Sequence, residues 1–182
     1  MKKKHPSNIF SATNSLKVLS FLSKCPGKEF TNSEIQKATS LSRMGVYVTL
    51  QDLTLQNMVN KTERGKFVIY SINYSNPLVK QFKILNSILV MERIVEKLKK
   101  VSRKIVLFGS ASRGEDYSDS DIDLFVLARD TEAAKSIVSV AKLEKKLQAV
   151  IKTPVEYAEF TEKEKLFKDE IERGITLWEE RE

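Results

Sequence analysis

Apolar residues recur at helical spacing through Leu16, Leu19 and Leu22, with Val18 and Phe21 beside them. This predicts a short helix ending near Cys25-Pro26-Gly27, where proline and glycine cannot continue it. Thr31 or Asn32 can cap a second helix, with Glu34 in its first turn and Ile35 and Ala38 as its apolar points. Thr39–Ser42 reads as a turn. Ser42 then caps a third helix whose inner face carries Val46, Leu50 and Leu53, spaced by four and three. Asn57 suits the left-handed position that closes a helix. Met58 and Val59 open a polar strand to Thr62, Glu63–Lys66 forms a tip around Gly65, and Phe67–Ile72 returns, which predicts a hairpin.

Asn76-Pro77 breaks the chain, and a long helical pattern follows over residues 78–101. Its apolar points are Leu78, Phe82, Leu85 and Leu89, then Met91, Ile94, Val95 and Leu98; Val79, Ile84, Ile88 and Val90 widen the face. So broad a face needs burial on more than one side, within the chain or against a second copy in a homodimer. Beyond it, Ile105–Phe108 reads as a buried strand running into Gly109-Ser110, and Ile122–Leu127 as a second apolar strand. Thr131 is expected to cap a helix running to about Ile151 and stopped by Thr153-Pro154. Val155–Phe160 then reads as a third strand, and Thr161, with Glu164 at capping-box distance, starts a helix to Arg173-Gly174. Ile175–Trp178 closes the chain as a short apolar piece. The expected fold is α/β (α+β) with a small mixed sheet, preceded by a mainly α module and a long linker helix. The expected divisions are residues 1–76, 77–102 and 103–182.

Composition narrows the function. With 41% hydrophobic and 30% charged residues, the chain is of globular type. Cys25 is the sole cysteine, which excludes a disulfide framework or a cysteine zinc site within one chain. The sole histidine, His5, lies in a basic tail, which argues against histidine-based catalysis. No apolar run reaches membrane-spanning length, and the start MKKKHPSNIF lacks the apolar stretch of a secretory signal, so a cytoplasmic protein without a membrane partner is expected. Charge is unevenly placed. Residues 1–76 hold 11 Lys and Arg against 4 acids, the whole formal excess of +7, whereas residues 77–182 hold 20 of each sign. That asymmetry points to a first module that meets a polyanion.

Residues 105–127, IVLFGSASRGEDYSDSDIDLFVL, carry the chemistry. Asp121 and Asp123, at i and i+2 at the head of a strand, point to one face. Like charges held that close repel unless a cation lies between them. A Gly-Ser turn before a helix start offers backbone N–H groups suited to phosphate. Phosphate cradle and paired carboxylates together equip a site for metal-dependent phosphoryl or nucleotidyl transfer.

The spacing Gly109-Ser110, ten residues, Asp121-Ile122-Asp123 resembles the minimal nucleotidyltransferases of the nucleotidyltransferase superfamily, as do Arg113-Gly114 and the run Ser120–Leu124. The resemblance implies an α/β domain over about residues 103–180. It implies that Gly109, Ser110 and Arg113 bind the triphosphate of ATP or another NTP. Asp121 and Asp123 would hold two Mg²⁺ ions. A third carboxylate is expected on a later strand, and Glu156 is the candidate where relatives tend to carry aspartate. The implied reaction moves NMP, AMP from ATP above all, to a hydroxyl acceptor, in several relatives on a partner protein in antitoxin pairs with a HEPN-type toxin.

Residues 11–74 in turn resemble a winged helix-turn-helix domain of prokaryotic regulators, from three helices and a basic-tipped hairpin. That resemblance implies double-stranded DNA as a partner. Arg43, Met44, Tyr47 and Gln51 would lie on the outward face of the third helix, and Arg64 and Lys66 on the wing would contact phosphate. The alternative reading is a winged-helix regulator whose nucleotidyltransferase domain only binds nucleotide or has lost activity.

Overall fold

The computed structural model describes residues 13–160 and 164–180. Lys2–Lys4, His5 and the expected Thr161 cap lie outside the described residues. The chain divides into two compact units, one ending at Val79 and the other beginning at Lys80.

In the first unit Thr13 caps α1 (Asn14–Ser23), its hydroxyl accepting from the Leu16 N–H. Val18, Leu19 and Leu22 of this helix are buried. β1 (Phe30–Thr31) leads into α2 (Asn32–Thr39), which starts at a full capping box of Thr31 and Glu34. The Thr31 N–H and hydroxyl both donate to the Glu34 carboxylate, which lowers its pKa from the usual glutamate value. Ser42 caps α3 (Arg43–Leu55), whose Val46, Leu50 and Leu53 are buried as their spacing requires. Asn57 takes the left-handed conformation, at φ 58°. β2 (Val59–Arg64) and β3 (Phe67–Ile72) form the expected antiparallel hairpin. β1 adds to β3 as a third strand, in the order β1-β3-β2. Two residues are too few to show a period, so β1 has no signature of its own in the chain pattern. Three helices with this small sheet make a winged helix-turn-helix arrangement.

α4 (Pro77–Leu98) is followed in the second unit by β4 (Ser102–Phe108), the single turn α5 (Gly109–Ser112), and β5 (Ile122–Ala128). Then come α6 (Thr131–Ser139), β6 (Leu147–Lys152), α7 (Pro154–Ala158), α8 (Lys165–Glu172) and β7 (Ile175–Glu179). The four-stranded sheet runs β6-β5-β4-β7. β4 pairs antiparallel with β5 and with β7, while β5 and β6 are parallel, so the sheet is mixed as expected. Met91, Ile94, Val95 and Leu98 of α4 pack with Ile105, Leu107, Leu124 and Val126 on one face. Val106, Phe108 and Phe125 face the other way, against Ile171, Tyr157 and Phe167. Phe108 and Phe167 meet edge-on at 5.7 Å.

Two elements differ from expectation. The helix expected to reach Ile151 ends at Ser139, and Leu147–Lys152 is a strand instead. Leu147, Ala149 and Ile151 alternate onto the core shared with α4, and pairing with β5 outweighs a weak helical period. The strand expected over Val155–Phe160 is instead the helix α7, and the reason is local. Thr153 caps, Pro154 opens and Glu156 closes the capping box, a helix-start signature read as a strand. Ile175–Trp178, left without a type from its sequence, is the edge strand β7.

Candidate active site

The site is built where β4 ends. Phe108 lies across from Asp123 in the β4–β5 ladder, so the next residue, Gly109, turns directly beside that aspartate. Gly109 has φ +68°, and a Cβ there would lie 2.3 Å from Asp123 Oδ2. Only glycine satisfies both demands. α5 begins at this turn with Phe108 as its N-cap, which offers no side-chain oxygen to the first N–H groups. The Ser112 hydroxyl donates to the Gly109 carbonyl at 2.8 Å and tightens the turn.

Asp123 alternates along β5 with Phe125 and Leu127, so it shares the face of the second core. Burial, then the charges of Asp121 and Glu170, raise its pKa above the usual aspartate value, and Arg113 counteracts them. Asp121 lies just before β5, with Lys146 Nζ 3.6 Å from its Oδ2. Arg113 is exposed and held between two acids, Glu115 at 3.3 Å and Glu170 at 3.7 Å. It also lines a cavity of about 380 Å³ with Ser112, Leu166, Asp169, Glu170 and Arg173. The structure therefore gathers Gly109, Ser110, Arg113, Asp121 and Asp123 at one end of β4 and β5.

Glu156 is placed elsewhere. Its carboxylate accepts from the Thr153 N–H at 2.7 Å within the α7 capping box, and those bonds lower its pKa. The strand beside Asp123 is β6, where Gln148 pairs with it and Val150 packs among the apolar residues of that face. Among the described residues no cluster of three or more acidic, histidine or cysteine side chains is arranged to hold a metal. Glu170 and Lys146 were not anticipated. Glu170 comes from a helix 47 residues beyond Asp123 with no spacing signal, and Lys146 becomes visible only once β6 is placed correctly.

On the first unit, Arg43, Met44 and Tyr47 are exposed on α3 and Gln51 is half-buried. Arg64 and Lys66 are exposed at the hairpin tip, and Arg64 pairs with Glu29 at 2.9 Å.

A family model described as polymerase beta, nucleotidyltransferase, matches residues 90–182, which hold the whole of this site. The chain belongs to the polymerase beta nucleotidyltransferase family. A solved structure described as a possible transcriptional regulator from Methanosarcina mazei Go1 is 16% identical, covering 47% of this chain and 75% of that one, with a TM-score of 0.34. No curated protein matches the chain. Among the described residues no helix is long and apolar enough to cross a membrane.

Family membership implies nucleotide substrates and divalent metal ions. Two adjacent carboxylates are compatible with a hard divalent cation. Such an ion binds through one or two carboxylates and completes its shell with water and substrate phosphate. Asp121 and Asp123 are the carboxylates available to such an ion, and the raised pKa of Asp123 reflects burial first and then the negative charges of Asp121 and Glu170.

Proposed function

We propose that residues 103–182 form a Mg²⁺-dependent nucleotidyltransferase that moves AMP from ATP to a hydroxyl acceptor, such as one on a partner protein. Residues 1–76 would bind double-stranded DNA, with residues 77–102 as a packing helix between the two activities. The observation that supports this reading is the closeness of the Asp123 carboxylate to the Gly109 turn, where an added Cβ would lie 2.3 Å from Oδ2.

In this reading Ser110 and the N–H groups following Gly109 hold the triphosphate, and Arg113 adds positive charge to it. Asp121 and Asp123 would hold the divalent ions, which when bound supply charge stabilisation and a more acidic acceptor hydroxyl. The acceptor hydroxyl releases its proton to solvent, its oxygen bonds to the α-phosphorus, the bond from that phosphorus to the β-bridging oxygen breaks, and pyrophosphate leaves with the electron pair. The protein contributes placement. Glu156 is left out of the metal site because its carboxylate is engaged at the start of α7.

The test is incubation with α-labelled ATP, Mg²⁺ and a lysate, against Asp121→Ala/Asp123→Ala. Label transferred by the wild type alone supports the reading, and label transferred by neither overturns it for ATP and those acceptors. One observation favours the second reading, a regulator that only binds nucleotide: Gln148 and Val150 stand on β6 beside Asp123 where a further acid would serve. Saturable Mg-ATP binding without turnover would select it.

A further inference from the structure

The ten residues between the cradle and the carboxylate pair are held by buried charge. Asp116 is only 6% exposed, and Lys83, on α4, only 4%. The Lys83 ammonium donates to the Asp116 carbonyl at 2.5 Å and lies 3.1 Å from Asp116 Oδ1. Lys145, just before β6, pairs with Asp116 Oδ2 and donates to the Tyr117 carbonyl at 2.5 Å. One turn earlier on α4, Lys80 pairs with Glu115 at 2.7 Å. Gly114 allows this approach, since its φ is +66° and a Cβ there would lie 2.3 Å from the Lys80 carbonyl oxygen. The loop is thus fastened to α4 at Glu115 and Asp116, and through Lys145 at Asp116 and Tyr117.

A buried ion pair is a poor source of stability, because desolvating both charges offsets most of their attraction. Its value lies in where it fixes the chain. The two catalytic aspartates are held differently. Asp123 is set by the β4 ladder, across from Phe108. Asp121 precedes the first paired residue of β5, Ile122, and so has no ladder partner. Its position depends on the loop that delivers it as well as on Lys146, 3.6 Å from its Oδ2.

We propose that Lys83 is a positioning residue for nucleotidyl transfer: through Asp116 it fixes the spacer loop on α4 and so sets Asp121 relative to the Gly109-Ser110 cradle. The proposal rests on the transfer reading for its consequence but not for its geometry. Transfer is sensitive to such placement, since misplacing a group by about 1 Å can cost on the order of 100-fold in rate.

The decisive variant is Lys83→Met/Asp116→Leu, which replaces the buried pair by apolar side chains and leaves the less buried Lys145 on the Tyr117 carbonyl. Lys83→Arg is its conservative control. Three quantities are measured on the full chain: urea stability, amide hydrogen exchange over residues 114–121 without ligand, and binding of Mg²⁺ alone. Steady-state transfer from ATP is measured alongside. The double variant should keep the urea midpoint, exchange faster in the loop, bind Mg²⁺ more weakly and lose about 10- to 100-fold in kcat with little change in KM for ATP. Lys83→Arg should recover part of the kcat. Unchanged loop exchange, or wild-type kcat and Mg²⁺ binding in a stable double variant, overturns the proposal. If the wild type transfers nothing, the transfer reading fails, and loop exchange with Mg²⁺ binding still decides the role of Lys83.

Discussion

The carboxylate of Asp123 occupies the space that a side chain at position 109 would need: a Cβ on Gly109 falls 2.3 Å from Oδ2. The turn that opens α5 and the aspartate of β5 are therefore parts of one object. Gly109→Ala is expected to fail twice. Its φ of +68° costs a non-glycine residue about 1–3 kcal/mol, read as a lower urea midpoint. The added methyl must also push Asp123 away, so transfer of labelled nucleotide should fall further than Mg-ATP binding does. Equal losses in both would mean that the turn serves binding alone.

Asp123 also sets a pH dependence. Its pKa is raised from about 3.8, first by burial and then by Asp121. The folded protein holds that proton more tightly than the unfolded chain. As pH rises from 3.8 through the raised value, the unfolded state ionises first, so this contribution to stability is lost across the window and stays absent above it. Metal-free Asp123→Asn should then be more stable than the wild type at pH 7. Mg²⁺ should reverse the order, since a ligand at 100 times its Kd stabilises by about 2.7 kcal/mol and the variant has lost a ligand. Thermal unfolding with and without Mg²⁺ measures both effects.

Glu156 and Thr153 separate structure from chemistry at α7. The capping box places the Glu156 carboxylate on the Thr153 N–H, and the Thr153 hydroxyl on the Glu156 N–H at 3.2 Å. Thr153→Ala should cost about 0.5–2 kcal/mol of stability by losing the cap. Glu156→Gln should leave kcat and Mg²⁺ affinity near wild type, because its carboxylate is engaged in that cap. A loss of Mg²⁺ affinity in Glu156→Gln, measured by titration, would return this residue to the metal site.

The parts of the fold legible in the sequence are those where local signals and burial agree. Ser42 with Val46, Leu50 and Leu53 gave α3 its start and its buried face together. The spacing from Gly109 to Asp123 was legible because it spans the end of β4 and the head of β5, which pair in the sheet. Errors arose where a signal was read without its neighbours. Thr153, Pro154 and Glu156 spell a helix start, yet the overlapping residues Val155–Phe160 read as a strand. That error and the overlong α6 conceal each other, since a helix through Leu147–Lys152 forces the next strand later. Lys83, Asp116 and Glu170 were illegible for another reason. Their partners lie far away in sequence, and nothing local tells a buried lysine from a solvated one.

On the first unit, the salt bridge from Arg64 to Glu29 makes DNA binding testable without touching α3. The pair is exposed and spans 2.9 Å, so it contributes at most about 1 kcal/mol. A phosphate approaching the hairpin tip must compete with Glu29 for the same guanidinium. Glu29→Gln should therefore tighten DNA binding by up to about 5-fold at low salt, the affinity equivalent of that energy. Arg64→Ala should weaken binding evenly across sequences and reduce the slope of log affinity against log salt by about 1, as loss of one phosphate contact requires. Fluorescence anisotropy on labelled duplexes over a salt series measures both. Since Arg64 contacts no base in this reading, an Arg64→Ala variant that changes sequence preference while keeping the salt slope would move the wing from the backbone into a groove. If neither variant alters binding, the hairpin lies off the DNA, and the exposed face of α3 must bind without it.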